Sequence, residues 1–109
     1  MTDFTVERRS APRRAMVLAA EVVEIPRGAR FNARSADFSR TGCYLDMLNP
    51  ITEGTEVRLR LTHHEENFVA LARIVYVSPG LGMGLAFTNV EDQQQACLDR
   101  WLSEPHKEY

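Results

Sequence analysis

The chain has 109 residues, enough for one domain around a single hydrophobic core and too few for two. Its 44% hydrophobic and 26% charged residues argue against whole-chain disorder, and no run approaches the roughly 20 apolar residues of a membrane-spanning helix. The formal net charge of −2 argues against a general affinity for polymeric nucleic acid. Its distribution is uneven: residues 1–40 hold eight arginines against five acids, whereas residues 41–109 hold five basic groups against ten acids.

Met1 to Ser10 carries Asp3, Glu7, Arg8 and Arg9 where a secretory signal needs an apolar run, so the chain is expected to be cytoplasmic and not inserted in a membrane. Residues 1–6 read as a flexible lead, 7–103 as the domain and 104–109 as a tail. Four arginines, Arg8, Arg9, Arg13 and Arg14, precede the first strand, and Pro12 keeps the segment extended. At the rise of a strand Arg9 and Arg13 stand about 13 Å apart. That is wide for one phosphate and suits a ligand with several anionic and guanine groups; a solvated basic arm is the plain alternative.

From Ala15 to Phe87 the pattern is of strands separated by turns. The first strand is expected over Ala15–Glu24, ended by Pro26, Arg27 and Gly28. The second, Arg30–Phe38, places Phe31, Ala33, Ser35 and Asp37 on one face by the period of two. The turn Ser39–Gly42 follows, with Gly42 supplying a positive φ or a close approach. Asp37 and Ser39, two apart, are expected to present an acceptor and a hydroxyl side by side, with Phe38 pointing into the core. The third strand is Cys43–Leu48 and the fourth Glu56–Thr62, where Val57, Leu59 and Leu61 alternate with Glu56, Arg58 and Arg60. His63 to Asn67 forms a polar hairpin tip, Phe68–Val77 the fifth strand and Met83–Phe87 the sixth. Six antiparallel strands of this length close into a barrel. Thr88 or Asn89 then caps a C-terminal helix, whose stripe of Ala96, Cys97, Leu98, Trp101 and Leu102 packs on the barrel, with Trp101 as core or plug.

Chemistry by the protein itself has little to stand on. Cys43 and Cys97 lack the number and spacing of a disulfide framework or zinc site and read as buried thiols. His63, His64 and His106 fall at neither metal nor triad spacing, so no metal, cofactor or enzymatic activity is expected.

Arg9-Ser10-Ala11-Pro12-Arg13 and Asp37-Phe38-Ser39-Arg40-Thr41-Gly42 resemble the two halves of the PilZ domain motif, RxxxR followed by [DN]xSxxG. Arg8 matches a further basic residue of that family, and Gly82 to Phe87 resembles its last strand. Thr41 stands where many members carry a second glycine. The resemblance covers about residues 7–103 and implies a six-stranded barrel with a C-terminal helix that binds cyclic di-GMP through Arg8, Arg9, Arg13, Asp37, Ser39 and Gly42. It also implies an adaptor whose arginine segment, ordered by one nucleotide or an intercalated pair, alters affinity for a downstream protein. Arginine pairs bidentately with phosphate or with guanine O6 and N7, and a carboxylate accepts from guanine N1–H and the N2 amino group, so the residue types fit that ligand. A nucleotide-independent protein-interaction module on the same barrel is the alternative. A single-strand nucleic-acid binder is disfavoured because the phenylalanines read as core and residues 41–109 are acidic.

Overall fold

Alternation dictates the wall of the molecule most plainly in β5 (Glu56–His63), where Val57, Leu59 and Leu61 are fully buried and Glu56, Arg58 and Arg60 face out. The computed structural model describes residues 12–105. Around β5 stand β1 (Arg14–Ala15), β2 (Ala19–Glu24), β3 (Arg30–Phe38), β4 (Gly42–Asp46), β6 (Glu66–Ser78) and β7 (Gly82–Asn89). All pairings are antiparallel in the order β1-β3-β2-β5-β6-β7-β4, and β4 returns to β3. Six strands therefore close a barrel, with β1 as an extra strand on β3. No helix among the described residues is long and apolar enough to cross a membrane.

The barrel wall departs from simple alternation at four places, one of them Thr88 in β7, which lies between Phe87 opposite Ala72 and Asn89 opposite Leu71. The expected first strand is two, because Val17 is an extra residue between the Met16 N–H bond to the Ala36 carbonyl and the Ser35 N–H bond to the Leu18 carbonyl. On its other side β3 pairs Ser35 with Leu45 but Asp37 with Tyr44, leaving Ala36 as a bulge. In β6, Ile74 opposes Leu85 and Tyr76 opposes Gly84, so Val75 is the bulged residue. Each bulge reverses the inside-outside parity of the residues beyond it.

Ser35 is completely buried and holds the first break together. Its hydroxyl accepts from the Leu18 N–H at 3.0 Å and donates to the Met16 carbonyl at 2.7 Å, satisfying backbone groups that the interrupted ladder leaves over.

The helix α1 (Asp92–Ser103) closes one end of the barrel with Cys97, Leu98 and Trp101. Leu102 is partly buried, but Ala96 is exposed and does not belong to the packed stripe. The N-cap is Glu91, without a side-chain capping bond, instead of Thr88 or Asn89; pairing of Asn89 with Leu71 keeps those two residues extended in β7. Trp101 is inaccessible and meets Phe38, Phe68 and His63 edge-on, at centroid distances of 6.3, 6.4 and 5.2 Å. Phe31 and Phe87 are only partly buried against this core. The expected solvated tip is thus half core: His63 packs on Trp101 and its Nε2 lies 3.0 Å from a Glu104 oxygen. The left-handed backbone needed to turn the chain falls on His64 and Glu65, with φ of 51° and 68°.

Glu66 fastens that hairpin to the helix. One carboxylate oxygen accepts from the Trp101 indole N–H at 2.9 Å and the other from Arg100 at 2.7 Å. These bonds, the indole first, hold its pKa below the usual carboxylate value. A depressed folded-state pKa means stability that is present above the unfolded value and lost as pH falls through the folded one. Acid unfolding, followed by Trp101 fluorescence, should therefore shift to lower sensitivity in Glu66→Gln; an unchanged acid limb would remove Glu66 from its cause.

Ser35→Ala would strand the Leu18 N–H and Met16 carbonyl in the core and should cost about 1–3 kcal/mol. For a domain of this size that is a fall in melting temperature of roughly 4–20 °C. A variant melting with the parent would show that the bulge does not need its hydroxyl.

Candidate functional site

Arg13 and Asp37, 24 residues apart in sequence, are brought together because β1 pairs with the end of β3. Two guanidinium nitrogens, Nη2 at 2.6 Å and Nε at 3.1 Å, donate to one Asp37 oxygen. Both side chains remain open to solvent, Arg13 by 49% and Asp37 by 31%. The bond to Asp37 raises the Arg13 pKa, with burial acting against it and the Asp37 charge adding to it. Among the described residues the pair is the only side-chain hydrogen bond or ion pair between the two sequence motifs; Arg8 and Arg9 lie outside those residues.

Asp37 reaches the outer face because of the Ala36 bulge. By period two it would share the inner face with Phe31, Ala33 and Ser35; the inserted residue instead sends Phe38 into the core and Asp37 outward. Ser39 does not stand beside it as an exposed hydroxyl. It is fully buried, and its Oγ accepts from the Thr41 N–H at 3.2 Å and lies 3.2 Å from the Thr41 hydroxyl, in a serine turn. Gly42 has no positive φ; it is needed because a Cβ there would land on the Leu85 carbonyl oxygen of the neighbouring strand.

Across the barrel wall, register places Asp37 opposite Tyr44, Tyr44 opposite Gly84, and Gly84 opposite Tyr76. The row is an outer-face platform. The two tyrosine rings stack with centroids 6.0 Å apart and planes inclined by 30°, and Tyr76 is 49% exposed. The rings lie over bare backbone: a Cβ on Gly84 would strike the Tyr76 ring, and one on Gly82 would come within 2.8 Å of the Tyr44 ring and hydroxyl. Tyr76 is turned outward by the Val75 bulge, as Asp37 is by Ala36. Sequence reasoning missed both tyrosines. Two glycines at alternate positions of one strand were the available signal, since glycine inside a strand marks close approach of another group.

Cys43 sits behind this row with its thiol pushed up to about 12, chiefly by burial and then by the Asp37 charge, so it is protonated at neutral pH and unsuited to nucleophilic chemistry. Among the described residues no group of three His, Cys, Asp or Glu side chains could hold a metal ion.

Beside Arg13 an open groove of about 690 Å³ separates the start of β1 from α1, with Arg40 and Asp99 on its rim and Leu102 in its wall. Arg40 grips Asp99 through Nε at 2.9 Å, which lowers the Asp99 pKa. Arg14 reaches the end of α1, where Nη1 donates to the Glu104 carbonyl at 2.6 Å and Nη2 to the Pro105 carbonyl at 3.3 Å. A cation on the orphan carbonyls of a helix C-terminus is favoured by both hydrogen bonding and the dipole.

Comparison with known proteins decides the family. The PilZ domain profile matches residues 7–104. The chain belongs to the PilZ domain family. Its fold is similar to the PilZ domain of CeSA from a cellulose-synthesizing bacterium, with a TM-score of 0.68 and 23% identity over 83% of this chain and 93% of that one. It is also similar to the PilZ domain with c-di-GMP of YcgR from Escherichia coli, with a TM-score of 0.72 and 16% identity over 86% and 88%. A third structural neighbour, the PlzA protein of Borreliella burgdorferi in complex with c-di-GMP, gives a TM-score of 0.64 and 12% identity over 91% of this chain and 43% of that one. Comparison with curated protein sequences finds no significant match.

If the glycine at 84 exists to seat the Tyr76 ring, Gly84→Ala should cost about 1–3 kcal/mol by overpacking. Adding Tyr76→Ala should recover most of that loss. Additive destabilisation in a double-mutant cycle of thermal melts would show that the ring and the glycine are independent.

Proposed function

We propose that this PilZ domain is a receptor for cyclic di-GMP, bound on the outer face of the barrel between the arginine arm and the tyrosine platform, without chemistry of its own. The observation that carries the reading is the row Asp37, Tyr44, Gly84, Tyr76 with Arg13 at its end. It offers within one surface a carboxylate for the guanine N1–H and N2 donors, a cation for phosphate or guanine O6 and N7, and an exposed ring for a base to stack on. Membership of the family and the c-di-GMP in the YcgR and PlzA structures support the same ligand.

In this reading Arg8, Arg9 and Arg13 take the phosphates and guanine edges, Asp37 reads guanine, and Gly42 and buried Ser39 shape the turn that holds Asp37 in place. The Arg13–Asp37 pair occupies the site when it is empty, and the ligand exchanges it for two better-matched partners. An exposed pair of this kind is worth about 0–1 kcal/mol, so the exchange costs little. Ordering of the Arg8–Arg13 segment around the nucleotide then presents a new surface to a downstream protein.

Calorimetry with cyclic di-GMP, against cyclic di-AMP and GTP, tests the ligand; absence of saturable binding at high micromolar concentration would leave the interaction-module reading in its place. Arg9→Ala and Arg13→Ala should each weaken binding by one to two decades, as expected for a charge-assisted bond of about 1.5–3 kcal/mol, with melting temperature little changed. Tyr76→Ala should lose a stacking contribution of about 1–3 kcal/mol, while Tyr76→Phe retains it. Asp37→Ala should reduce affinity for the guanine ligand more than for the adenine analogue, and equal losses would assign Asp37 to the turn alone.

A further inference from the structure

On the far side of the barrel from the tyrosine row, the outer surface of β2, β5 and the first half of β6 is strongly basic. It and the adjoining strand β3 carry Arg30, Arg34, Arg58, Arg60 and Arg73, with two acids, Glu21 and Glu56, between them, and Asp46 of β4 opposite Arg34 at the edge. The two acids are already used: Glu21 is shared between Arg30 at 3.1 Å and Arg60 at 2.9 Å, and Glu56 binds Arg73 at 2.7 Å. Arg58 lies at the middle of this surface. Among the described residues it forms no ion pair, and its cross-strand neighbours are apolar, Val23 on β2 and Leu71 on β6. Leu71 is 37% exposed, and a groove of about 380 Å³ beside it is lined by Arg58, Val69, Glu91 and Gln94, so that Glu91 limits how far an acidic partner can extend along it.

A central arginine flanked by partly exposed aliphatic side chains, with Arg30, Arg60 and Arg73 around it held in ion pairs, is the composition of a binding hot spot. The rest of the molecule limits what can cover it. Outside this surface, residues 12–105 hold ten acidic side chains against five basic ones, so a polyanion longer than the patch meets repulsion at its edges. Among the described residues no exposed aromatic ring stands on the patch for a base to stack on, and the two glutamates oppose a flat anionic membrane. We propose that this surface docks an acidic segment of a partner protein, one carboxylate pairing with Arg58 and a neighbouring aliphatic side chain lying against Val23 and Leu71. The surface is separate from the proposed nucleotide site, so the two readings stand or fall independently.

The probe is a synthetic peptide in which two leucines are flanked by glutamates, labelled for fluorescence anisotropy. The controls are the same peptide with glutamine for glutamate, heparin, and vesicles containing phosphatidylserine. Saturable binding of the glutamate peptide, weakened about tenfold or more when salt is raised from 0.05 to 0.5 M, is expected. Arg58→Glu and the milder Arg58→Ala should abolish it or reduce it at least tenfold. Arg27→Glu, a charge reversal outside the patch, should not, and all three should retain their circular dichroism and their affinity for cyclic di-GMP. Equal binding of the glutamine peptide, indifference to Arg58, or tighter Arg58-dependent binding of heparin or vesicles would overturn the proposal.

Discussion

The placement of the site depends on two of the single-residue insertions in the ladder. Ala36 in β3 and Val75 in β6 each add one residue at a point where the partner strand adds none, and each reverses which side of the wall the following side chains occupy. Without the first, Asp37 would enter a core that offers it no partner and Phe38 would face water. Without the second, Tyr76 would point inward and Ile74 could not be followed by an exposed ring. The bulged strands flank β4 and β7, whose uninterrupted pairing from Gly42–Ala86 to Asp46–Gly82 supplies the flat backbone on which the outward groups rest. Ser35 connects the local cost to the whole barrel: its hydroxyl replaces ladder bonds that the break at Val17, on the other side of β3, removes.

The same region joins three parts of the fold that are distant in sequence. Arg13 binds the end of β3, Arg14 binds the end of α1, and Arg40 in the intervening turn binds Asp99 on α1. Adjacent arginines thus point to opposite tasks, one toward the outer surface and one toward the helix that seals the barrel. Exposed ion pairs of this kind add little to stability individually. Their effect is geometric, in that the strand carrying the arginine motif is aligned with the helix through contacts that an anion of sufficient strength competes for.

Much of this was legible from residues. Val57, Leu59 and Leu61 against Arg58 and Arg60 declare a half-buried strand without ambiguity, and the helix followed from the spacing of Cys97, Leu98 and Trp101. The closing of the barrel was legible from the number and length of the strands. The bulges were not, because neither Ser35-Ala36-Asp37 nor Ile74-Val75-Tyr76 contains the glycine or proline that marks an irregularity. A strict period of two therefore groups Asp37 with Ser35, which the bulge separates, although Phe38 enters the core and Asp37 faces away from it as expected. It also gives Ser39 an exposure that its turn denies. Tyr44 and Tyr76 escaped notice for a related reason: they are 32 positions apart, and only the register through Gly84 makes them neighbours. Capping by Thr88 or Asn89 failed because strand pairing, a non-local force, outweighed a local preference.

The two buried thiols give the molecule a pair of internal clocks. Cys43 lies in the barrel wall behind Asp37, and Cys97 lies beneath the helix, its sulfur 3.9 Å from the Asn67 carbonyl. Cys43 and Cys97 are 1% and 7% exposed and both thiols are shifted upward by burial, so alkylation at neutral pH is favoured in conformations in which their cover has opened. Lifting the helix uncovers Cys97 while the wall remains closed, whereas Cys43 becomes reactive only when β3, β4 and β7 part. The ratio of the two labelling rates consequently separates undocking of the lid from loss of the barrel, in the native chain and without an added probe.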